Sequence, residues 1–216
     1  MAIAIKQIAT ANAGATSTIS PTLSSPAVAG NVLVAIHAQA NARNDSSVGD
    51  ASYDLPITNG NALSGSSNMG WIVAAKIAAG GETSWTSPAD SGQGNHTGAL
   101  IEIEGFTGTA TLDDSAEDVT NRGTVVTSQG TGAATASAAG FALAIFISDN
   151  YRNVDGGRGY SDGFAEELAY TDVSRPGIFV ASKTVAAGSV SCTFSTTDTG
   201  DEMVGCVLVL VDDTGG

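Results

Sequence analysis

Side chains that can supply oxygen ligands to a metal ion are concentrated in one segment of the second half of the chain. The residues concerned are Asp149, Asn153, Asp155 and Asp162. Calcium takes about six to eight oxygen ligands, and loops rich in Asp and Asn often supply them. The spacing departs from that of an EF-hand loop, because Tyr151 stands where its first Asp should be. These residues are therefore weak calcium candidates, with Asx turns in a solvated loop as the alternative. No cofactor is predicted.

Nucleophilic hydrolysis has little support in the sequence. Such a mechanism needs a base held beside the nucleophile, and the chain has two histidines, His37 and His96. We predict His37 at the end of a strand and His96 in a polar turn. No Gly-x-Ser-x-Gly motif is present. The sequence therefore does not predict a hydrolase.

Paired carboxylates are available but carry no pattern of their own. A glycosidase needs two of them across a cleft, and acidic residues are plentiful in this chain. Glu102 and Glu104 alternate along one predicted strand, so we expect both on a solvated face. Glu166 and Glu167 are further candidates, but only because acidic residues are so common in this chain. We predict that the protein is not an enzyme.

Aromatic and basic residues are concentrated in the same segment as the calcium candidates. Tyr and Arg are enriched at the centres of protein interfaces. Local packing within the loop is the alternative. We predict a contact with a protein partner through Tyr151, Arg152, Arg158, Tyr160 and Tyr170.

Short strand-like runs recur through the chain, and the second half repeats the first. Residues 139–146 match residues 29–36 with an offset of 110. Residues 177–183 match residues 70–76, and residues 207–211 match residues 100–104, both with an offset of 107. Few-stranded units are hard to stabilise alone, and no linker separates the halves. We therefore predict one domain.

The predicted fold is all-β, a single jelly-roll-like β-sandwich of about ten strands that spans residues 1–216. Two tandem pseudo-repeats build it, at about residues 8–105 and 118–211. The acidic segment 105–121 is predicted to join the sheets. Two long polar loops are expected at residues 38–69 and 148–176, and loops of this length are usually functional.

Composition narrows the choice of partners. The chain has 216 residues, of which 8 are Lys or Arg and 22 are Asp or Glu, for a net charge of −14. Such a surface repels phosphate backbones and anionic lipids, so neither nucleic acid nor a membrane is expected as a partner. The apolar runs are too short to span a bilayer. The N-terminus lacks the pattern of a signal peptide, which predicts synthesis in a cytoplasm.

Two cysteines, Cys192 and Cys206, are expected on the two arms of a hairpin centred near Thr199. The matching positions in the first half are Trp85 and Ala99, so a large and small pair is exchanged for two residues of medium size. Two cysteines do not suggest a disulfide scaffold. We expect both thiols to be buried and reduced.

The order of the strand motifs resembles that of sandwich proteins found among the structural proteins of tailed bacteriophages. The resemblance covers most of the chain and lies in residues 29–34 (AGNVLV), 71–76 (WIVAAK), 99–105 (ALIEIEG), 111–116 (TLDDSA) and 139–144 (AGFALA). It implies a virion protein made in the host cytoplasm. No catalytic or binding residue can be transferred, because these motifs only frame strands.

The role implied by the resemblance is a capsid-surface decoration or cement protein that contacts other virion proteins. It would act as a homo-oligomer, and a trimer would suit a decoration or fibre role. The alternative is a carbohydrate-binding or receptor-recognition module of a tail or fibre, with Trp71, Trp85 and the loop tyrosines against sugar faces.

Overall fold

The computed structural model describes most of the chain. It covers residues 2–14, 18–40, 53, 55–64, 67–87, 95–121, 124–150, 154, 156–171 and 176–213, with backbone alone at residues 40, 55–64 and 67–68. Every regular element of these residues is a β-strand, which confirms the all-β class. The described residues contain no helix that could cross a membrane.

The first half of the chain forms one antiparallel sheet of five strands. They are β1 (Ala4–Ala13), β2 (Val32–Ala40), β3 (Leu55–Ser64), β4 (Ser67–Ile77) and β5 (His96–Glu104). Their order across the sheet is β1-β5-β2-β4-β3. This sheet is called sheet 1 below.

The described residues of the second half form eleven strands. Six of these are β6 (Thr109–Asp118), β7 (Val125–Val126), β8 (Ser128–Gly130), β9 (Ala134–Ala136), β10 (Gly140–Ser148) and β11 (Gly159–Tyr160). The others are β12 (Ala165–Tyr170), β13 (Gly177–Val185), β14 (Gly188–Val190), β15 (Thr193–Ser195) and β16 (Asp201–Asp213). Sheet 2 has the order β12-β13-β10-β16-β6, with β7 also paired to β16.

The two sheets pack face to face around an inner core. Residues of one strand alternate between the two faces of its sheet, and one set from each sheet turns inward. Sheet 1 contributes side chains such as Val34, Trp71 and Ile101, and sheet 2 contributes Leu143 and Leu208, all of them buried. The sandwich predicted from the sequence is confirmed.

The connectivity is simpler than that of a jelly roll. In a jelly roll successive strands cross between two sheets, whereas here residues 4–104 form sheet 1 and residues 109–213 form sheet 2. Only residues 105–108 connect them. The predicted join at residues 105–121 was therefore too long, because most of it is the edge strand β6.

The two sheets share strand order and irregularities. Position by position, β1, β4 and β5 correspond to β6, β13 and β16, and β2 and β3 correspond to β10 and β12. Strands β1 and β6 each have a bulge, at Lys6 and Asp113, and these residues are 107 positions apart. Strands β3 and β12 each have one, at residues 57 and 167.

The pairing of β2 corrects one offset by a single residue. Val34 pairs with Ile101 of β5, and Leu143 pairs with Leu208 of β16. Because Ile101 and Leu208 are 107 residues apart, Val34 corresponds to Leu143, with an offset of 109. The predicted offset of 110 was therefore wrong by one residue for this strand. A shift of one residue exchanges the two faces of a strand, so an offset of 110 would match inner side chains of β2 with outer side chains of β10.

Each sheet has its outer face covered by segments of its own half. The first cover, residues 18–31 and 78–87, packs Leu23 and Trp85 on sheet 1. The second cover, residues 124–137 and 186–196, packs Ala134 and Phe194 on sheet 2. Backbone hydrogen bonds join the segments of each cover, as from Leu23 to Thr83 at 2.7 Å. The central strands β2, β5, β10 and β16 are therefore buried on both faces.

The predicted long loops contain strands. Segment 38–69 includes all of β3, and segment 148–176 includes β11 and β12. Strand β3 (LPITNGNALS) is polar and contains Pro56 and Gly60, residues that an edge strand tolerates better than a central one. Residues 84–87 and 99–104 do not form a hairpin, because β5 pairs with β1 and β2.

Candidate functional site

The calcium candidates do not form a site in the described residues. Asn153 and Asp155 lie outside those residues. Asp149 follows β10, whereas Asp162 lies in the turn before β12, where its backbone oxygen accepts a hydrogen bond from Lys183 Nζ at 3.0 Å. Asp162 has a φ of 57°, a conformation that Asp tolerates in turns. Among the described side chains, no group of three His, Cys, Asp or Glu could hold a metal ion.

Asp149 instead belongs to a group of carboxylates with Asp201 and Glu202 at the start of β16. The backbone N–H of Asn150 donates a hydrogen bond to Asp201. Burial, together with the charges of Asp149 and Glu202, raises the pKa of Asp201 to about 6. Burial and the charge of Glu202 also raise the pKa of Asp149. Sheet 2 thus has carboxyl groups that favour protonation.

Arg158 and Tyr160, two of the interface candidates, bind the same carboxylate. Arg158 donates to Glu166 through Nε at 2.8 Å and Nη2 at 3.2 Å, and the Tyr160 hydroxyl donates to it at 2.9 Å. The Tyr160 ring packs on Phe194, with centroids 5.6 Å apart. Burial raises the pKa of Tyr160 well above its ordinary value. The two side chains are therefore engaged in local packing.

Tyr170, the third described interface candidate, lies apart from this group. It is on the edge strand β12, and its hydroxyl accepts a hydrogen bond from Asn12 Nδ2 of β1 at 2.5 Å. This contact joins the edges of the two sheets. Tyr151 and Arg152 lie outside the described residues. The structure therefore brings together Arg158 and Tyr160 but separates them from Tyr170.

Glu102 is buried, which corrects its predicted place on a solvated face. The first cover lies over this face of β5. The Glu102 carboxylate accepts hydrogen bonds from Asn31 Nδ2 at 2.5 Å, from the Val28 N–H at 2.9 Å and from Gln7. Burial alone would raise the pKa of Glu102, yet these hydrogen bonds and Lys6 hold it below the ordinary value. Glu102 is an internal anchor of the first cover.

The two histidines form a buried pair that the sequence did not predict. His96 belongs to β5, not to a turn, and His37 lies within β2. His37 Nε2 and His96 Nδ1 are 3.0 Å apart, and the rings stack at an angle of 7°. Burial, and to a lesser extent the charge of His96, lower the pKa of His37 to about 3. Only the strand order shows that these residues are neighbours, because they are 59 positions apart in the chain.

The cysteines lie in different cores, so the predicted hairpin pair was wrong. Cys192 packs in the outer core of sheet 2 and Cys206 in the inner core. Both are free and buried. Trp85 and Ala99 are likewise divided between an outer core and the inner core. The matched residues thus occupy equivalent positions in the two halves. Because the two members of each pair lie in different cores, a change in the size of one does not compensate for a change in the size of the other.

Both tryptophans are buried and cannot form a platform for a sugar. Trp71 and Trp85 are each 1% exposed.

A cavity of about 240 Å³ opens between the sheets at the β4 and β6 edge. Its lining is mostly aliphatic and includes Ala110, which is 107 residues after Ile3. The larger Ile3 side chain packs against the inner core at the other edge. The cavity suits an apolar group.

The described candidates are thus distributed among internal contacts of three kinds. They are a carboxylate group on sheet 2, a ring cluster with Arg158 and Glu166, and a histidine pair on sheet 1. Comparison of the chain with protein families, with curated proteins and with solved structures found no match.

Proposed function

We propose that this chain is a non-enzymatic structural protein of a tailed-bacteriophage virion, acting as a capsid-surface decoration or cement protein. The observation that carries the proposal is the covering of both sheets by segments of the same chain. The described residues of this 216-residue chain contain three apolar cores. Its fold favours a rigid body that works through its surface. The resemblance of the strand motifs to phage structural proteins supports the same role.

The surface charge suggests the chemistry of the partner. Edge strand β6 carries Asp113, Asp114, Glu117 and Asp118, and edge strand β12 carries Glu167 beside Glu166, whose charge is paired with Arg158. Charged side chains on an edge disfavour pairing with a further strand. Together with a net charge of −14, they favour contact with a basic surface on neighbouring virion proteins.

The mechanism would be stabilisation by selective binding. A protein that binds only the assembled lattice shifts the equilibrium toward the intact particle by mass action. Attraction between an acidic protein and a basic lattice is screened by salt, because the Debye length falls to about 3 Å at 1 M. Binding should therefore weaken as the salt concentration rises.

Purified particles with and without this chain provide the test. Complete particles should survive heating and osmotic shock better than particles that lack the chain, and added protein should restore resistance at low salt. Electron microscopy of the restored particles should show density on the capsid surface. Equal survival of both particle types would exclude the cement role. Sedimentation of the free protein would test the expected homo-oligomer, including a trimer.

The tail or fibre carbohydrate-binding role is the competing proposal. Saturable binding to a glycan array would favour it over the cement role. On that array, binding through the ring face should persist in Tyr160→Phe, because this variant removes only the hydroxyl that donates to Glu166. Tyr160→Ala would also remove a ring that packs on Phe146 and Phe194, and would confuse lost binding with lost stability.

A further inference from the structure

The histidine pair lies beneath the first cover, on the outer face of sheet 1. His37 is 2% exposed and His96 is not exposed at all. Trp85 of the first cover meets the His37 ring edge-on, with centroids 6.3 Å apart. A displacement of the His37 ring would therefore disturb its contact with Trp85 of the first cover.

The geometry of the pair fixes the protonation of one ring. His37 Nε2 and His96 Nδ1 are in hydrogen-bond contact at 3.0 Å. Such a contact needs one N–H donor and one nitrogen without a proton. If both rings are fully protonated, both facing nitrogens carry hydrogen and the contact is lost. The closed arrangement is therefore incompatible with a doubly charged pair.

The fold does not require histidine at these positions. The register places Phe146 of sheet 2 where sheet 1 has His37, because these residues pair with Gly205 and Gly98, respectively. Likewise Met203 stands where sheet 1 has His96, opposite Ser148 and Gln39. Sheet 2 thus forms the same structure with two apolar side chains. The histidines add a property that packing alone does not need.

The charged groups of the described elements around the pair are engaged elsewhere. Lys76 of β4 is 3.5 Å from Glu82 of the first cover, and it lies over the ring of Tyr53, a further titratable group on this side. Glu102 of β5 is 3.5 Å from Lys6 of β1. Residues 18–31 of the first cover carry no charged side chain.

We propose that the His37–His96 pair is an acid-sensitive switch that opens the first cover while the second cover stays closed. In the open form the imidazoles reach water and titrate near their ordinary pKa of about 6.5. In the closed form burial lowers the pKa of His37 to about 3.

The direction of the effect follows from these two states. The open form binds the proton more tightly, so closure is most stable above pH about 6.5 and weakens as the pH falls toward the closed-state value. Each pH unit in this window favours opening by up to about tenfold for one histidine. Between pH 7 and pH 4.5 the open population should rise by about 100-fold.

Hydrogen exchange of the full chain tests the proposal. Protection is measured from pH 7 to pH 4.5 and divided by the intrinsic exchange rate at each pH. Peptides of the first cover should lose about 100-fold in protection, and peptides of the second cover should not. In the double variant His37→Phe with His96→Met, which copies sheet 2, the loss should disappear. An equal loss in wild type and variant, or none in wild type, would overturn the proposal.

Histidine-ring NMR of the wild-type chain provides a second readout that needs no variant. Ring signals of a working switch should titrate well below pH 6.5, together with the loss of cover protection. Two ring pKa values near 6.5 with the first cover still protected would refute the switch, whether or not the double variant folds.

Discussion

At the scale of single residues, Glu102 shows how a carboxylate is used inside this sandwich. It is the common acceptor for Gln7 of β1 and for Val28 and Asn31 of the first cover. A buried charge of this kind is tolerated only when it is hydrogen-bonded and paired. Its removal leaves several buried donors without an acceptor, which costs more than the net value of any one bond.

We predict that Glu102→Gln lowers the free energy of unfolding by about 2–4 kcal/mol. The control is Glu104→Gln on the same strand, because Glu104 also faces Lys6 but its side chain is 41% exposed. That variant should change stability by less than about 0.5 kcal/mol. Urea unfolding at pH 7 measures both. A similar small loss in both variants would show that Glu102 is no anchor.

The same comparison should depend on pH. The pKa of Glu102 is held below its ordinary value, so its contribution is present above the unfolded pKa and is lost as pH falls through the folded pKa. The gap between wild type and Glu102→Gln should therefore narrow in strong acid. A gap that stays constant to pH about 3 would contradict this explanation.

The sequence predicted which residues share a face better than it predicted their exposure. Glu102 and Glu104 do alternate onto one face of β5, as period-two alternation requires. The burial of Glu102 depends on residues 18–31, which contain Ser, Pro and Thr and resemble an ordinary loop. The His37–His96 contact depends on β5 lying beside β2, and no local pattern encodes that order.

At the scale of elements, the two sheets share their order and both bulges. This agreement is what a tandem repeat would produce, and the repeat itself stays a prediction from the sequence. The strong central strands were found because they are continuous apolar runs. Strand β3 was missed because polar edge strands resemble loops, and the β2 offset was off by one because small apolar residues fill both faces of β10.

Two glycines at equivalent places offer an element-scale test of how tightly each cover packs. Gly98 of β5 and Gly205 of β16 are 107 residues apart. A Cβ at Gly98 would meet the end of the flexible Ile19 side chain. A Cβ at Gly205 would meet the backbone oxygen of Gly130 and the Phe146 ring, the latter at 2.9 Å.

We predict that Gly205→Ala costs about 1–3 kcal/mol by overpacking, whereas Gly98→Ala changes stability by less than about 1 kcal/mol. The difference arises because a side-chain tip can move aside and a backbone carbonyl cannot. Thermal and urea unfolding of the two variants give the comparison. A larger loss for Gly98→Ala would mean that the first cover is the more rigid one.

At the scale of the whole molecule, Asp201 in one half and His37 in the other should change stability in opposite directions as the pH falls. The pKa of Asp201 is raised to about 6 by burial first and by neighbouring carboxylates. The folded form therefore holds this proton more tightly than the unfolded chain, whose Asp titrates near about 3.9. Asp201 thus stabilises the fold as pH falls from about 6 to about 4, whereas His37 destabilises it.

We predict that Asp201→Asn removes a slope of up to about 1.4 kcal/mol per pH unit between pH 4 and pH 6. In the variant, unfolding free energy should fall more steeply on acidification, because the histidine effect is then unopposed. Urea titrations at half-unit pH steps measure the slope. An unchanged slope would show that Asp201 is ionised in the folded protein throughout this range.

The short connection between the sheets permits a test of how the halves depend on each other. Residues 105–108 are the whole crossover, and Asp212 of β16 binds the N–H groups of Thr107 and Gly108 there. We predict that fragments 1–106 and 107–216, produced together, assemble and copurify through a tag on one of them. Fragment 1–106 alone should self-associate, because it exposes Trp71 and Ile101 of the inner core. A monomeric, folded fragment would contradict a shared core.

The separation of the sheets along the chain has a consequence for synthesis. A ribosome completes sheet 1 and its cover before it starts β6. At about 5–20 residues per second, the nascent chain then waits on the order of 5–20 s for sheet 2. Its outer face is already protected, and its other face is an unshielded apolar surface during that interval. At this stage of synthesis a chaperone would bind the exposed face of sheet 1, or two nascent chains on the same messenger RNA would exchange sheets.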